Sequence, residues 1–315
     1  MTPADSAITA SGAPRDRRPA RPRARWLRRV WAVPTGRFGI CVVLALVLVA
    51  LCARIWTPFD PQQVDVQNRW LPPSWPHLLG TDGAGRDILS LVMAGAGTTV
   101  WVALGSAVIA TIIGVALASL GALTTRWVRE SVAVVIDILI AFPVLLVAMM
   151  ISAVWGGSLW VVIWSVGLGF GVNIARVTRP ELRRVMHSDF VIAGTAAGLT
   201  PTQNLWRHLL PNVAPVFIVQ LSWAMAVAVL AEAGLSYLGF GAPVTEPSWG
   251  VLLQDLQTYL TVYPLAVLWP GLAITVTVLG LNLLGDGIRE ASDPTLASRS
   301  GAARASRTHM PEVVS

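Results

Sequence analysis

The sequence predicts an all-α, polytopic membrane protein, and three observations carry that prediction. The first is composition: of 315 residues, 54% are hydrophobic and 13% charged, with a mean hydropathy of +0.63, far from the balance of a soluble domain. The second is length. A helix rising about 1.5 Å per residue crosses a hydrocarbon core of roughly 30 Å with about 20 apolar residues, and six apolar stretches approach or exceed that length. The third is the placement of charge. All 23 basic residues are arginines, and with six spans behind a cytoplasmic N-terminus 20 of them lie inside and 3 outside. That asymmetry predicts two cytoplasmic termini.

Span one, residues 38–55 (FGICVVLALVLVALCARI), follows an Arg-rich tail. It exceeds a signal-peptide core and precedes no small-x-small cleavage site, so it is expected to persist as an anchor. Its Cys41 and Cys52 stand roughly 16 Å apart along the helix, too far for a mutual disulfide, and read as packing residues. The next segment, WTPFDPQQVDVQNRWLPPSWPHLLGTDGAGRDILSLVMAGAG, is expected outside the cell as an extended strip along the headgroups, which suit its tryptophans. Within it Asp82 is assigned as a helix cap paired with Arg86 at i, i+4. Span two follows at 98–123.

Span three, 132–155, contains Asp137 and Pro143. Pro143 is expected to kink it. Asp137 reads either as a pathway or subunit-interface carboxylate or as a residue that reaches the headgroups from the span end. Span four, 158–174, holds GLGFG at 167–171, which lacks the strand-turn-helix setting of a nucleotide loop and reads as helix packing. Span five, 213–235, carries Glu232, a candidate pathway residue or the partner of a neighbouring helix. An outside connection, GFGAPVTEPSWGVLLQDLQTYLTVYP, is expected to form an amphipathic helix over 251–260 lying flat on the surface. Span six, 265–284, ends near Asp286, read as a C-terminal turn feature. The resulting division is a disordered Arg-rich tail (1–30), a first span with its outside segment (31–96), a five-helix core (97–294) and a disordered tail (295–315). The block RDRRPARPRARWLRR reads as topogenic or as a contact with anionic lipid.

Between spans four and five lies SDFVIAGTAAGLTPTQNLWRHLLPNVAP, residues 188–215. Ser188 or Asp189 can cap a helix that reaches Ala197, and Gly198 ends it. Thr200 then begins a second helix, with Pro201 as its first residue and Gln203 closing a capping box. Leu205 with Leu209 and Trp206 with Leu210 fall at i, i+4. Because Pro211 disfavours a helical Leu210, the second helix is expected to stop there. Such a capped pair is either an interfacial helix on lipid or a docking element. The small residues Ala193, Gly194, Ala196 and Ala197 favour close approach by a partner.

Ala193, Gly198 and Leu210-Pro211 stand at the intervals of the EAA loop, and other stretches agree: HLLGTDGAGRDILS, DILIAFPVLL, LAEAGLSYLGFG, PSWGVLL and WPGLAITVTVLGLNLLGDGIREASDP. Over residues 36–294 the chain resembles the second permease of dipeptide/oligopeptide/nickel ABC importers. The resemblance implies a type I ABC importer permease fold, six transmembrane helices with a cytoplasmic coupling-helix loop over 188–211, in the plasma membrane of a prokaryote. It implies a homologous second permease, two ABC ATPases and an extracytoplasmic substrate-binding protein as partners. It places Ala193, Gly194, Gly198 and Pro211 at the ATPase contact, and makes Asp82, Arg86 and Asp87 a candidate contact for the binding protein. The family's glutamate position is Ile192 here, so a charge contact from that position is lost. Peptide cargo follows from the resemblance only; related systems carry nickel, opines, glutathione or oligosaccharides.

Several chemistries are excluded. Without lysine the chain has no Walker A sequence and no Schiff-base anchor, so ATP and Mg belong to partner ATPases and no cofactor is expected here. His77, His187, His208 and His309 are scattered, which gives no metal site, and no nucleophile–base pair supports an enzyme. The net charge of +6 is accounted for by topology and calls for no nucleic acid. The rival reading is a secondary transporter or channel driven by an ion gradient, which would usually carry internal repeats and a midplane ion site.

Overall fold

The computed structural model describes residues 28–292; residues 1–27 of the first tail, the second tail and His309 lie outside the described residues, while residues 28–30, expected to be disordered, are helical with Val30 buried. Ten helices are used here: α1 (Pro34–Ile55), α2 (Ile88–Leu123), α3 (Arg126–Ile140), α4 (Val144–Trp155), α5 (Leu159–Met186), α6 (Asp189–Ala196), α7 (Pro201–Asn204), α8 (Leu210–Tyr237), α9 (Trp249–Leu256) and α10 (Pro264–Ser292). A π-helical turn, Leu205–Leu209, joins α7 to α8. Five continuous helices are long and apolar enough to cross a membrane, and α3 with α4 make a sixth, broken one. Among the described residues there is no strand, only an isolated bridge between Thr81 and Asp87.

In lipid the hydrophobic effect does not drive helix against helix, so association rests on close packing. The sequence supplies it with glycine. On α5, a Cβ on Gly167 would stand 2.7 Å from Cβ of Ile109, and one on Gly171 2.7 Å from Cβ of Ile113. The GLGFG run is thus used for helix packing, as expected: Gly167 and Gly171 seat α5 on α2, and Gly169 meets Val144 of α4. At the other side α1 lies on α10 with Gly36 and Gly287 almost touching: a Cβ on Gly287 would be 2.3 Å from the Gly36 Cα. The central core gathers Val102, Ile109, Val162, Val166, Phe170 and Leu235 from α2, α5 and α8.

Four expectations change. The third span is broken by 76° rather than kinked, because Ala141 ends α3 and Pro143, with ψ at 121°, starts α4 from an extended backbone. The segment before α2 is a folded cap, not a strip. Trp70 stacks on Tyr263 at 4.2 Å with planes 3° apart, and Thr81 Oγ1 donates to Asn68 O at 2.6 Å while accepting from Leu71 N at 2.8 Å. The short outside helix starts at Trp249 and is buried on protein rather than lipid. Its indole donates to Val92 O at 2.8 Å, and Gly250 brings it so near α8 that a Cβ would meet Ala233 O at 2.4 Å. Finally, α10 runs to Ser292, so Asp286 is an exposed helical residue and not a terminal turn.

Backbone-to-backbone crowding cannot relax cheaply. Gly287→Ala is therefore expected to cost about 1–3 kcal/mol, the range for overpacking, seen as a lowered thermal midpoint of the detergent-solubilised chain. Gly97→Ala, where a Cβ meets nothing within 4 Å, should leave the midpoint unchanged or raise it; equal loss in both would refute the packing account.

Candidate functional site

The segment between α5 and α8 is an elbow built from local signals. α6 ends in a Schellman arrangement: Gly198 N–H donates to Thr195 O and Leu199 N–H to Gly194 O, both at 3.0 Å, with Gly198 at φ +88°. Only glycine holds that backbone without strain. The predicted capping box is formed. Gln203 N–H donates to Thr200 Oγ1 at 3.3 Å, and Gln203 Oε1 accepts from Thr200 N–H at 2.9 Å. Ser188 sits at the start of α6 but does not cap it; its hydroxyl instead donates back to Val185 O at 2.5 Å. Asp189, in the first turn, still complements the helix dipole.

The angle between α6 and α7 is fixed by a residue the sequence reading passed over. Asn204, buried, donates from Nδ2 to Thr195 Oγ1 at 3.0 Å. Gly194 makes room for this crossing, because a Cβ there would lie 3.0 Å from Asn204 Oδ1 and 3.1 Å from Leu199 Cδ1. The available signal was an amide one position beyond the capping box, where an exposed helix needs none.

Pro211 does not end the helix. Leu210 has φ −58° and ψ −44°, and its N–H reaches back to Leu205 O in π register. Pro211 falls in the first turn of α8, where its missing N–H and fixed φ are tolerated, and the wider π turn carries the chain through. The result is one 37-residue helical run from Pro201 to Tyr237. Asn212 Nδ2 donates to His208 O at 2.7 Å beside it.

The elbow has two faces. Val191, Leu205 and Leu209 are buried in a cluster with Leu182, Val185 and Ile136, which ties it to α5 and α3. Leu205 and Leu209 thus share the inner face as their spacing predicted, while Trp206 points out, 65% exposed. Ala193 is exposed, as are Phe190 and Ile192 before it on α6. The outer surface is accordingly apolar and mixed in size, larger than the small-residue patch read from the sequence. Gly194 and Gly198 shape that surface, whereas Pro211 stands apart at the entry to α8.

The remaining candidates separate. Glu232 is 1% exposed, and its Oε1 accepts from Ser236 Oγ at 2.8 Å and from Ser248 Oγ at 2.7 Å. Ser248 also starts α9, accepting from Gly250 N–H at 3.1 Å, so Glu232 fastens α9 to α8. Asp137 is exposed on α3 and enters no ion pair among the described residues. In the outer cap, Asp87 rather than Asp82 caps α2, accepting from Ser90 N–H at 2.8 Å, because Asp82 is occupied inside the preceding turn. Asp82 accepts from Ala84 N–H at 2.8 Å and Arg86 N–H at 2.9 Å, and pairs with Arg86 Nε at 2.6 Å. The i, i+4 pair is as expected. Asp87 also contacts His77 Nδ1 at 3.0 Å. Asp82 and Asp87 are buried; Arg86 reaches outward to Asp255 at 3.1 Å. Burial opposes the Arg86 charge, but Asp82 and then Asp255 outweigh it and hold its pKa above the ordinary value.

Residues 110–298 match the model of the binding-protein-dependent transport system inner membrane component. A Brucella suis protein, provisionally named a peptide transport system permease, is 36% identical over 269 residues, covering 85% of this chain and 90% of its own. The dipeptide transport system permease protein of Alkalihalophilus pseudofirmus is 32% identical over 260 residues, covering 82% and 86%. Among solved structures, an inward-facing MetNI methionine ABC transporter superposes with a TM-score of 0.53 at 18% identity, over 64% of this chain and 97% of that one, a likeness of fold. The chain belongs to the binding-protein-dependent transport system inner membrane components and is a permease subunit of an ABC importer.

Proposed function

We propose that this permease forms half of a translocation pathway for di- or oligopeptides, beside a homologous second permease, and that the elbow docks on a separate ATPase. The observation that carries the docking is the elbow's two-sidedness. Its inner face is locked by Val191, Leu205 and Leu209, and its outer face leaves Phe190, Ile192 and Trp206 uncovered. A rigidly held, exposed apolar patch of this kind marks an interaction surface.

The elbow side is then the cytoplasmic side, in keeping with the arginine asymmetry, and both termini lie there. ATP and its Mg sit on the two partner ATPases, since the chain has no lysine for a phosphate loop. Closure of those ATPases displaces the elbow, and because α7, the π turn and α8 are one helical run, the displacement reaches the bundle as a rigid-body movement. Ile192 replaces the family's glutamate with an apolar contact, so shape and burial supply what a charge supplies elsewhere. The outer cap, through Arg86 and Asp255, receives the extracytoplasmic binding protein. Peptide cargo rests on the names of the relatives at 36% and 32% identity.

Purification of the tagged chain should bring a homologous permease and two ATPases with it; a chain that purifies alone and moves solute without ATP ends the importer assignment for this assembly. Mass spectrometry of the cargo retained by the partner binding protein should identify peptides, and a metal or sugar there would overturn the substrate assignment alone. Gly198→Val, forced to φ +88°, and Ala193→Asp should each cut uptake at least tenfold while membrane insertion is unchanged. Asn204→Ala loosens the angle between α6 and α7, and is expected to lower the solute moved per ATP hydrolysed more than it lowers ATP hydrolysis itself. An unchanged ratio would remove Asn204 from the coupling.

A further inference from the structure

At the end of the bundle next to the elbow, three arginines converge from two helices. Arg179 and Arg183 lie one turn apart on α5, a like-charge spacing that destabilises a helix, and Arg129 of α3 stands beside them. Arg179 Nη2 donates to Arg129 O at 3.3 Å and Arg183 Nη2 to Gly121 O at 3.2 Å. Neither acceptor carries a formal charge. The nearby carboxylates are engaged elsewhere, Glu130 by Arg126 at 2.8 Å and Glu181 by Arg184 at 2.5 Å. Among the described residues no carboxylate pairs with any of the three, and the buried Nε of Arg183 has no hydrogen-bond partner. The Gly121 carbonyl belongs to the last turn of α2 and gives Arg183 a favourable dipole. It does not neutralise three cations.

Arg129 also lines a cleft of about 680 Å³ between the elbow and the turn from α2 to α3, whose walls include Leu123, Met186, Val191, Ile192 and Leu199. A mainly apolar cleft with the Arg129 guanidinium in its wall, and Arg179 and Arg183 beside that arginine, is complementary to an amphiphile with an anionic head. Guanidinium forks match phosphate oxygens, and basic pockets between span ends bind anionic headgroups. We propose that the Arg129–Arg179–Arg183 cluster holds the phosphate of an anionic phospholipid, with part of an acyl chain in the adjoining cleft. Such a lipid would brace the elbow against the bundle. The inference does not depend on the cargo, but it shares Ile192 with the proposed ATPase contact, which the last arm of the test addresses.

The test uses the full chain with whatever subunits accompany it, in mixed micelles, and compares retention of phosphatidylglycerol with phosphatidylcholine of the same acyl chains. The wild type should prefer phosphatidylglycerol. Arg129→Gln and Arg183→Gln should each lower that preference about fivefold, the effect of one arginine near an anionic surface, and Arg129→Lys should largely keep it. Arg126→Gln, on the same helix but paired with Glu130, should leave it unchanged. Should Arg183→Gln fail to fold, Arg129→Gln carries the test, because the Arg129 side chain makes no hydrogen bond among the described residues. The proposal is overturned by an absent preference, by a preference that survives Arg129→Gln, or by equal loss in Arg126→Gln. It also fails if millimolar inorganic phosphate displaces the lipid as phosphatidylglycerol does, which would mark a free-anion site. Loss of the preference whenever ATPase subunits are bound would assign the cluster to a protein interface instead.

Discussion

The arrangement depends on one apolar clamp, the burial of Val191, Leu205 and Leu209 against Leu182, Val185 and Ile136. Without it, the 8-residue α6 would be marginal in water, since nucleation is costly and short helices gain little from propensity. With the elbow at the cytoplasmic surface as proposed, the two ends of the same core obey different rules. Deeper in the bundle, helices gain little by hiding apolar groups from equally apolar tails, and glycine notches such as Gly167 and Gly171 do the holding through contact distance. At the elbow, removal of leucine and valine from water contributes directly, about 1.5–3 kcal/mol for each large side chain fully buried.

The polar contacts of the elbow take their value from that clamp. A capping box, a Schellman turn and one Asn–Thr hydrogen bond are each modest in net terms, about 1 kcal/mol, yet they act on a segment whose position is already fixed. They therefore set angle rather than existence. The π turn has a comparable role. It admits Pro211 without interrupting the helix, so the elbow is joined to α8 by continuous backbone. At the far end of α8, Glu232 grips Ser248 at the start of α9, and α9 in turn meets the outer cap through the Arg86–Asp255 pair at 3.1 Å. One helix thus links the two aqueous faces, and both ends are held by contacts that a rigid displacement would carry along.

The span count, the elbow's caps and the use of GLGFG for packing were legible in the sequence because each rests on a short-range rule. Thr200, Pro201 and Gln203 specify their own geometry, and Gly198 does the same at a positive φ. What was not legible depends on tertiary surroundings. Pro211 reads as a stop by local sterics, and only the π register supplied by its neighbours overrides that reading. Residues 251–260 are amphipathic in the same way whether their apolar face meets lipid or protein, so hydrophobic pattern could not tell that Trp249 lies across α2. Asp82 and Asp87 are both good capping residues; which of them caps α2 depends on the turn at Ala84–Arg86, which recruits Asp82 first.

The same distinction orders the acidic residues of the spans. Glu232 and Asp137 look alike in the sequence, each a carboxylate in an apolar run where ionisable groups are expensive. Glu232 has two hydroxyl donors on one oxygen and almost no exposure, so its cost is offset locally and its effect is to fix α9. Asp137 has no such company. It lies exposed on α3, ahead of the break where Ala141 and Pro143 turn the span by 76°. Broken helices in a membrane require their freed backbone groups to face protein or water rather than acyl chains, and that requirement applies to the stretch that follows Asp137. The carboxylate without a partner and the interrupted backbone therefore make the same demand. The exposed side of α3 and α4 is thus suited to a second subunit, an aqueous passage or, for Asp137 near the span end, the headgroups, and Glu232, despite its depth, makes no such demand.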